Sequence, residues 1–181
     1  DISGTHILIV DDNRTNREVL RGQLESWDVR VADAQDGPTA LHKLYKAYSE
    51  GDPFQLAVLD MQMPGMDGAE LGRAIKEDAA LSDTVLMLLT STGERGDARK
   101  MQQLGFAGYL TKPIRATQLY DAVVEVMSGQ QAAGGELPYG MPEIVTQHSI
   151  KETKKHRIRI LVAEDNPINQ NVALRMLKKA G

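Results

Sequence analysis

The chain has 181 residues, 41% hydrophobic and 25% charged, a balance that permits a buried core and excludes a disordered or fibrous class. Its formal net charge of -4 supplies no basic face, so neither nucleic acid nor an anionic membrane is expected as a partner. With no cysteine, disulfides, thiolate metal sites and cysteine nucleophiles are all excluded.

The first apolar run, 6–10, reads as a strand covered on both faces and ends in Asp11-Asp12. Residues 15–26 follow as a helix with Val19, Leu20 and Leu24 on one side and Trp27 just beyond it. Strands at 29–34, 56–60, 84–89 and 108–110 then alternate with helices at 38–48, 68–77, 97–104 and 117–127. Five such βα units predict a parallel sheet in an α/β domain over residues 1–128. The longest apolar runs, such as 85–89, fall far short of the roughly 20 residues a bilayer span needs, and the start is no signal peptide. A cytoplasmic location is expected, with any membrane anchor of a parent protein lying in other segments.

Glycines and prolines crowd 129–156, which predicts a linker. Beyond it the first strand and helix return at an offset of 153 positions. Ile7, Leu8, Asp12, Asn13, Asn16, Val19 and Leu24 meet identical residues at Ile160, Leu161, Asp165, Asn166, Asn169, Val172 and Leu177. Residues 157–181 are therefore expected to be the opening strand and helix of a truncated second copy. The chain starts at Asp1 without methionine and stops just past a helical pattern, so an excerpt of a longer polypeptide is expected.

In a doubly wound sheet, ligands bind beyond the carboxyl ends of the strands, near the point where the helices change face. Asp11-Asp12, Asp60, Thr90 and Lys112-Pro113 all fall at such ends. Singly, each has a plain structural use: an acidic residue caps a helix, a threonine caps a turn, a lysine is solvated. Three carboxylates converging in one crevice stay ionised together only beside a compensating cation. Oxygen ligands without His or Cys favour Mg2+, which keeps waters and leaves positions for phosphoryl oxygens. Phosphoryl transfer needs an oxygen nucleophile in line, positive charge on the equatorial oxygens and a hydroxyl donor, and Asp60, Lys112 and Thr90 offer those parts.

The motifs ILIVDDN at 7–13, LDMQMPGMDG at 59–68, LLTS at 88–91 and GYLTKP at 108–113 resemble the receiver domains of two-component response regulators and hybrid histidine kinases. The resemblance covers 6–127, with a slightly long stretch around 49–53. It implies a flavodoxin-like (βα)5 fold, a five-stranded parallel sheet of order 2-1-3-4-5, and Asp60 as phosphoacceptor for a histidine kinase or histidine phosphotransfer domain. It further implies Mg2+ or Mn2+ held by Asp12 directly, Asp11 largely through water, Asp60, and the backbone carbonyl of Gln62. Thr90 would bond the phosphoryl group, Lys112 would pair with it, Tyr109 would swing inward as Thr90 moves, and Lys112-Pro113 would be cis. Gln62 and Thr92 hold positions that tune hydrolysis of the aspartyl phosphate. Tandem receivers imply a hybrid sensor kinase as parent.

Other features take structural readings. Met61, Met63 and Met66 pack around the acceptor loop, and Pro64-Gly65 is a turn. His6, His42, His148 and His156 share no neighbourhood, and the basic stretch 151–159 is a solvated linker end. The truncated copy lacks acceptor, threonine and lysine, so it is expected to be silent and to lay its apolar face on its own chain or a second copy. Two rival functions are an aspartyl-nucleophile phosphatase or phosphotransferase, which predicts an acid where Gln62 stands, and a receiver-like binding module that is never phosphorylated.

Overall fold

A computed structural model describes residues 2–93, 96–132, 144–146, 149 and 163–180, in two compact units, Asp1–Gln147 and His148–Gly181. Unit one contains β1 (His6–Val10), α1 (Arg14–Glu25), β2 (Arg30–Ala34), α2 (Gly37–Ser49), β3 (Leu56–Asp60), α3 (Gly68–Glu77), β4 (Val85–Thr90), α4 (Asp97–Gln103), β5 (Gly108–Thr111), α5 (Ala116–Ala132) and β6 (Val145–Thr146). The second unit contains α6 (Pro167–Ala180). No described helix is long and apolar enough to cross a membrane.

All pairings are parallel and the sheet order is β2-β1-β3-β4-β5-β6. The expected flavodoxin-like order 2-1-3-4-5 is present and one strand longer. Residues of β3 and β4 are buried throughout, because helices cover both faces, whereas edge strand β2 is mostly half-exposed. On one face Leu8, Val10, Leu59, Leu86 and Leu88 pack with Leu44 of α2, Leu71 and Ile75 of α3 and Met101 of α4. Strand alternation turns the neighbouring residues to the other face, where a side chain at Gly108 would press on Met87 and on Val126 of α5.

The starts of α1, α2 and α3 are each fixed by a side chain that satisfies free N–H groups. Asn13 caps α1 by accepting from the amides of Thr15 and Asn16, and Asp36 caps α2 just ahead of Pro38. Asp67 and Glu70 bond each other's backbone amides in a capping box at α3. Because Asn13 and Asp36 follow the ends of β1 and β2 so closely, these strand tips and helix starts line one rim of the sheet.

The stretch read as linker holds two surprises. Helix α5 runs on to Ala132, and Ile144-Val145-Thr146 lies along the outer edge of β5, with Gly108 opposite Val145 and Tyr109 opposite Thr146. Ile144 and Val145 are buried, and the Val145 amide donates to the Ala107 carbonyl at 2.8 Å. Burying the two side chains contributes about 1.5–3 kcal/mol each. Ordering three residues costs about 1–2 kcal/mol each, which leaves the docked strand near balance. The rest of the predicted linker (Ser149 aside), including His148, His156 and the basic stretch 151–159, and the strand predicted at 157–163 (Ala163 aside) lie outside the described residues.

Candidate functional site

Four sequence-predicted residues meet at the rim. Asp11 follows β1, Asp60 ends β3 and Lys112 follows β5; the Lys112 ammonium donates to Asp60 Oδ1 at 2.7 Å and to Asp11 Oδ2 at 2.9 Å. Asp12 stands beside them, and one carboxylate oxygen from each of Asp11, Asp12 and Asp60 lies within 4.8 Å of the others. Asp11 and Asp60 are buried while Asp12 is exposed, so the cluster opens to solvent on the Asp12 side. An all-oxygen, tri-carboxylate set of this size fits a hard divalent cation.

The electrostatics follow from burial. Loss of water pushes the Asp60 carboxyl above its ordinary range; the Lys112 ammonium pulls it back, and Asp11 and Asp12 add to the rise. Burial likewise opposes the charge on Lys112, but hydrogen bonds to Asp60 and Asp11 win and hold it above the usual lysine range. The tip of β3 therefore carries a carboxylate that a nearby cation would stabilise.

The acidic corner is held by residues that sequence reasoning passed over. Asn16 Nδ2 donates to both Asp11 oxygens at 3.2 and 3.1 Å, and the Asn13 amide donates to Asp11 Oδ1 at 2.8 Å. Arg17 donates through Nη1 to the Asp11 carbonyl at 2.7 Å and the Asp12 carbonyl at 3.1 Å, and through Nε to Asp33 at 2.9 Å. Asp33 also pairs with Arg21, and hydrogen bonds from Arg21 and then Arg17 keep its carboxyl below the usual range against the effect of burial. Asp33 on β2 thus anchors the arginine that pins both acidic peptide groups.

Behind Asp60 the chain turns through Met61 to Gly68 with little room. The Gly68 amide donates to the Met61 carbonyl at 3.1 Å, and a Cβ at Gly68 would stand 2.3 Å from the Asp60 carbonyl oxygen. Only glycine permits that approach. Gln62 is exposed in the same loop, and Met63 is buried in the core face as expected for packing.

Thr90 ends β4 and is buried, but its hydroxyl donates to the Thr92 carbonyl at 2.8 Å. The Tyr109 hydroxyl donates to that same carbonyl at 3.4 Å from β5, with its ring buried among the core residues. Gly93 brings the loop against β5, since a Cβ there would lie 2.7 Å from Thr111 Cγ2. Thr90 and Tyr109 are therefore joined through one backbone acceptor. The Lys112-Pro113 peptide bond is cis. His6 stacks on Phe54 and bonds to the Asp52 carbonyl, away from this rim.

Comparison with known proteins gives a consistent picture. CheY of Pseudomonas aeruginosa is 33% identical over 121 residues, covering 66% of this chain and 94% of CheY. PleD of Caulobacter vibrioides is 36% identical over 117 residues, 65% of this chain, which spans 25% of PleD. The sensor histidine kinase GacS of Pseudomonas protegens is 34% identical over 122 residues, of which this chain spans 13%. Among solved structures, the chemotaxis protein CheY4 of Vibrio cholerae superposes with a TM-score of 0.62 at 27% identity, over 68% of this chain and 99% of CheY4. The family model described as response regulator receiver domain matches residues 7–124, and the chain belongs to that family of two-component signalling domains.

Proposed function

We propose that this domain accepts a phosphoryl group on Asp60 from the phosphohistidine of a histidine kinase or a histidine phosphotransfer domain, within a cytoplasmic phosphorelay. The observation that carries the reading is the tri-carboxylate cluster bridged by Lys112 at the tips of three parallel strands. Asp11, Asp12, Asp60 and the Gln62 backbone carbonyl would hold Mg2+ or Mn2+, which supplies positive charge for the phosphoryl oxygens when bound. An Asp60 carboxylate oxygen forms the new P–O bond as the donor P–N bond breaks, and the imidazole leaves with a proton. Lys112, already at the carboxylates, follows the charge onto the phosphoryl group. Thr90 rotates from the Thr92 carbonyl to donate to a phosphoryl oxygen, leaving that carbonyl to Tyr109. The side chains of Gln62 and Thr92 then govern how readily water reaches the acyl phosphate.

A groove beside the cluster supports donor docking. Asn16, Val19, Leu20, Gln23, Pro113 and Ile114 line it next to Lys112, and the buried Gln23 Oε1 has no hydrogen-bond partner among the described residues. An amphipathic helix presenting its histidine to Asp60 suits such a surface. Similarity to GacS and the partial repeat support a hybrid sensor kinase as parent. The exposed Val172, Leu174 and Met176 on α6 support self-association through the second unit.

Intact-mass measurement after acetyl phosphate and Mg2+ tests the core of this reading. The parent chain is expected to gain one phosphoryl group and Asp60→Asn none; equal labelling of both, or turnover of small phosphomonoesters, removes it.

A further inference from the structure

The docked segment Ile144–Thr146 sits against the residue that links the pocket to the sheet edge. Paired residues of neighbouring strands point to the same face, so Thr146 and Ile144 stand on the face of Tyr109 while Val145 stands with Gly108. Ile144 belongs to the same buried cluster as Tyr109, Phe106 and Met101. From the other side, the Tyr109 hydroxyl reaches the Thr92 carbonyl that Thr90 also uses. A continuous path therefore runs from the tip of β4 through Thr92 and Tyr109 to the edge segment. The segment holds on by two residues of ladder and two buried side chains, too little to be permanent. A tyrosine ring leaving the core toward the open edge of the sheet would enter the space that Ile144 and Thr146 occupy.

We infer that the outer edge of β5 is a strand-acceptor site for the chain's own residues 144–146, and that its occupancy and the phosphorylation of Asp60 favour one another. The docked strand bolts Tyr109 in its buried position; a phosphoryl group that draws Thr90 away strengthens the hold of the Thr92 carbonyl on Tyr109. Coupling of this kind is reciprocal: whatever factor phosphorylation adds to docking, docking adds to binding at the pocket. The segment thus carries the state of the pocket to the chain beyond it. This inference rests on the reading of Asp60 as phosphoacceptor.

The test uses the whole chain, with beryllofluoride and Mg2+ as the phosphoryl mimic. Amide exchange at 144–146 is expected to slow by about fivefold or more on adding the mimic. Val145→Pro, which removes the amide that bonds Ala107, is expected to weaken beryllofluoride binding by the same factor, while Val145→Ile retains parent affinity. If the mimic binds and changes exchange at 90–92 and 109–112, yet 144–146 and the affinity of Val145→Pro stay at parent values, the coupling is wrong and the phosphoacceptor reading stands. If the mimic does not bind at all, the phosphoacceptor reading falls and takes this inference with it. Protection at 144–146 that rises with protein concentration would show docking between copies and overturn the internal occupant.

Discussion

Asp11 and Glu164 open the same turn in two places. In unit one the Asn13 amide and Asn16 side chain bond the Asp11 carboxylate, and Arg17 bonds its carbonyl. In the second unit the Asn166 amide and Asn169 side chain bond the Glu164 carboxylate at 3.2 and 3.1 Å, and Gln170 bonds its carbonyl. The helices that follow differ more: Leu24 of α1 is fully buried, whereas its counterpart Leu177 is half-buried and α6 exposes Leu174 and Met176 as well as Val172, the match of the likewise exposed Val19. An acidic helix-start corner is thus a local product of a short sequence. What makes the first corner chemical is non-local: Asp60 and Lys112, delivered by two other strands.

Substitutions can break that comparison, beginning with the largest effect. Lys112→Ala is expected to slow acetyl phosphate labelling of Asp60 by about a thousandfold, since it removes the cation that meets the phosphoryl charge. Its sign with pH is fixed too: Asp60 must be ionised to attack, Lys112 pulls its raised pKa down, and so losing Lys112 moves the acid limb of labelling to higher pH. A pH–rate profile of labelling in both proteins reads this, and an unchanged limb would contradict the pairing. Leu24→Ala is expected to lower unfolding stability by about 3 kcal/mol in urea titration, because it empties a fully buried site.

A smaller effect is expected at Arg17, which acts only by holding peptide groups. Arg17→Ala should raise the Mg2+ concentration needed for half-maximal labelling by about tenfold, the scale of outer partners at a metal site. Gln170→Ala, its counterpart in the second unit, should leave that requirement where it was. Smallest of all, Val172→Ala is expected to change stability by less than about 0.5 kcal/mol, because the side chain is already exposed. A larger loss that depends on protein concentration would show that α6 is covered by another copy.

Strands β1, β3 and β4 and the residues at their tips were legible because buried parallel strands are continuous aliphatic runs and each run stops at a chemically distinct residue. By contrast, β2 (RVADA) and β5 (GYLT) were legible only through their alternation with helices. Asp60 and Lys112 needed only topology to be brought together. Arg17 was not legible: on an exposed helix turn it looks solvated, and its role depends on β2 setting Asp33 within reach. Thr92 was noted for its side chain, while its carbonyl is what Thr90 and Tyr109 share. The edge strand was hidden because a glycine- and proline-rich neighbourhood masks two paired residues. Its one signal was Ile144-Val145-Thr146, three consecutive β-branched side chains.

The missing side chain at Gly68 gives the molecule a mechanical direction. With the start of α3 seated on the carbonyl of Asp60, a displacement of that strand tip toward the helix meets backbone at once, so the tip has more room to move away from α3 than into it.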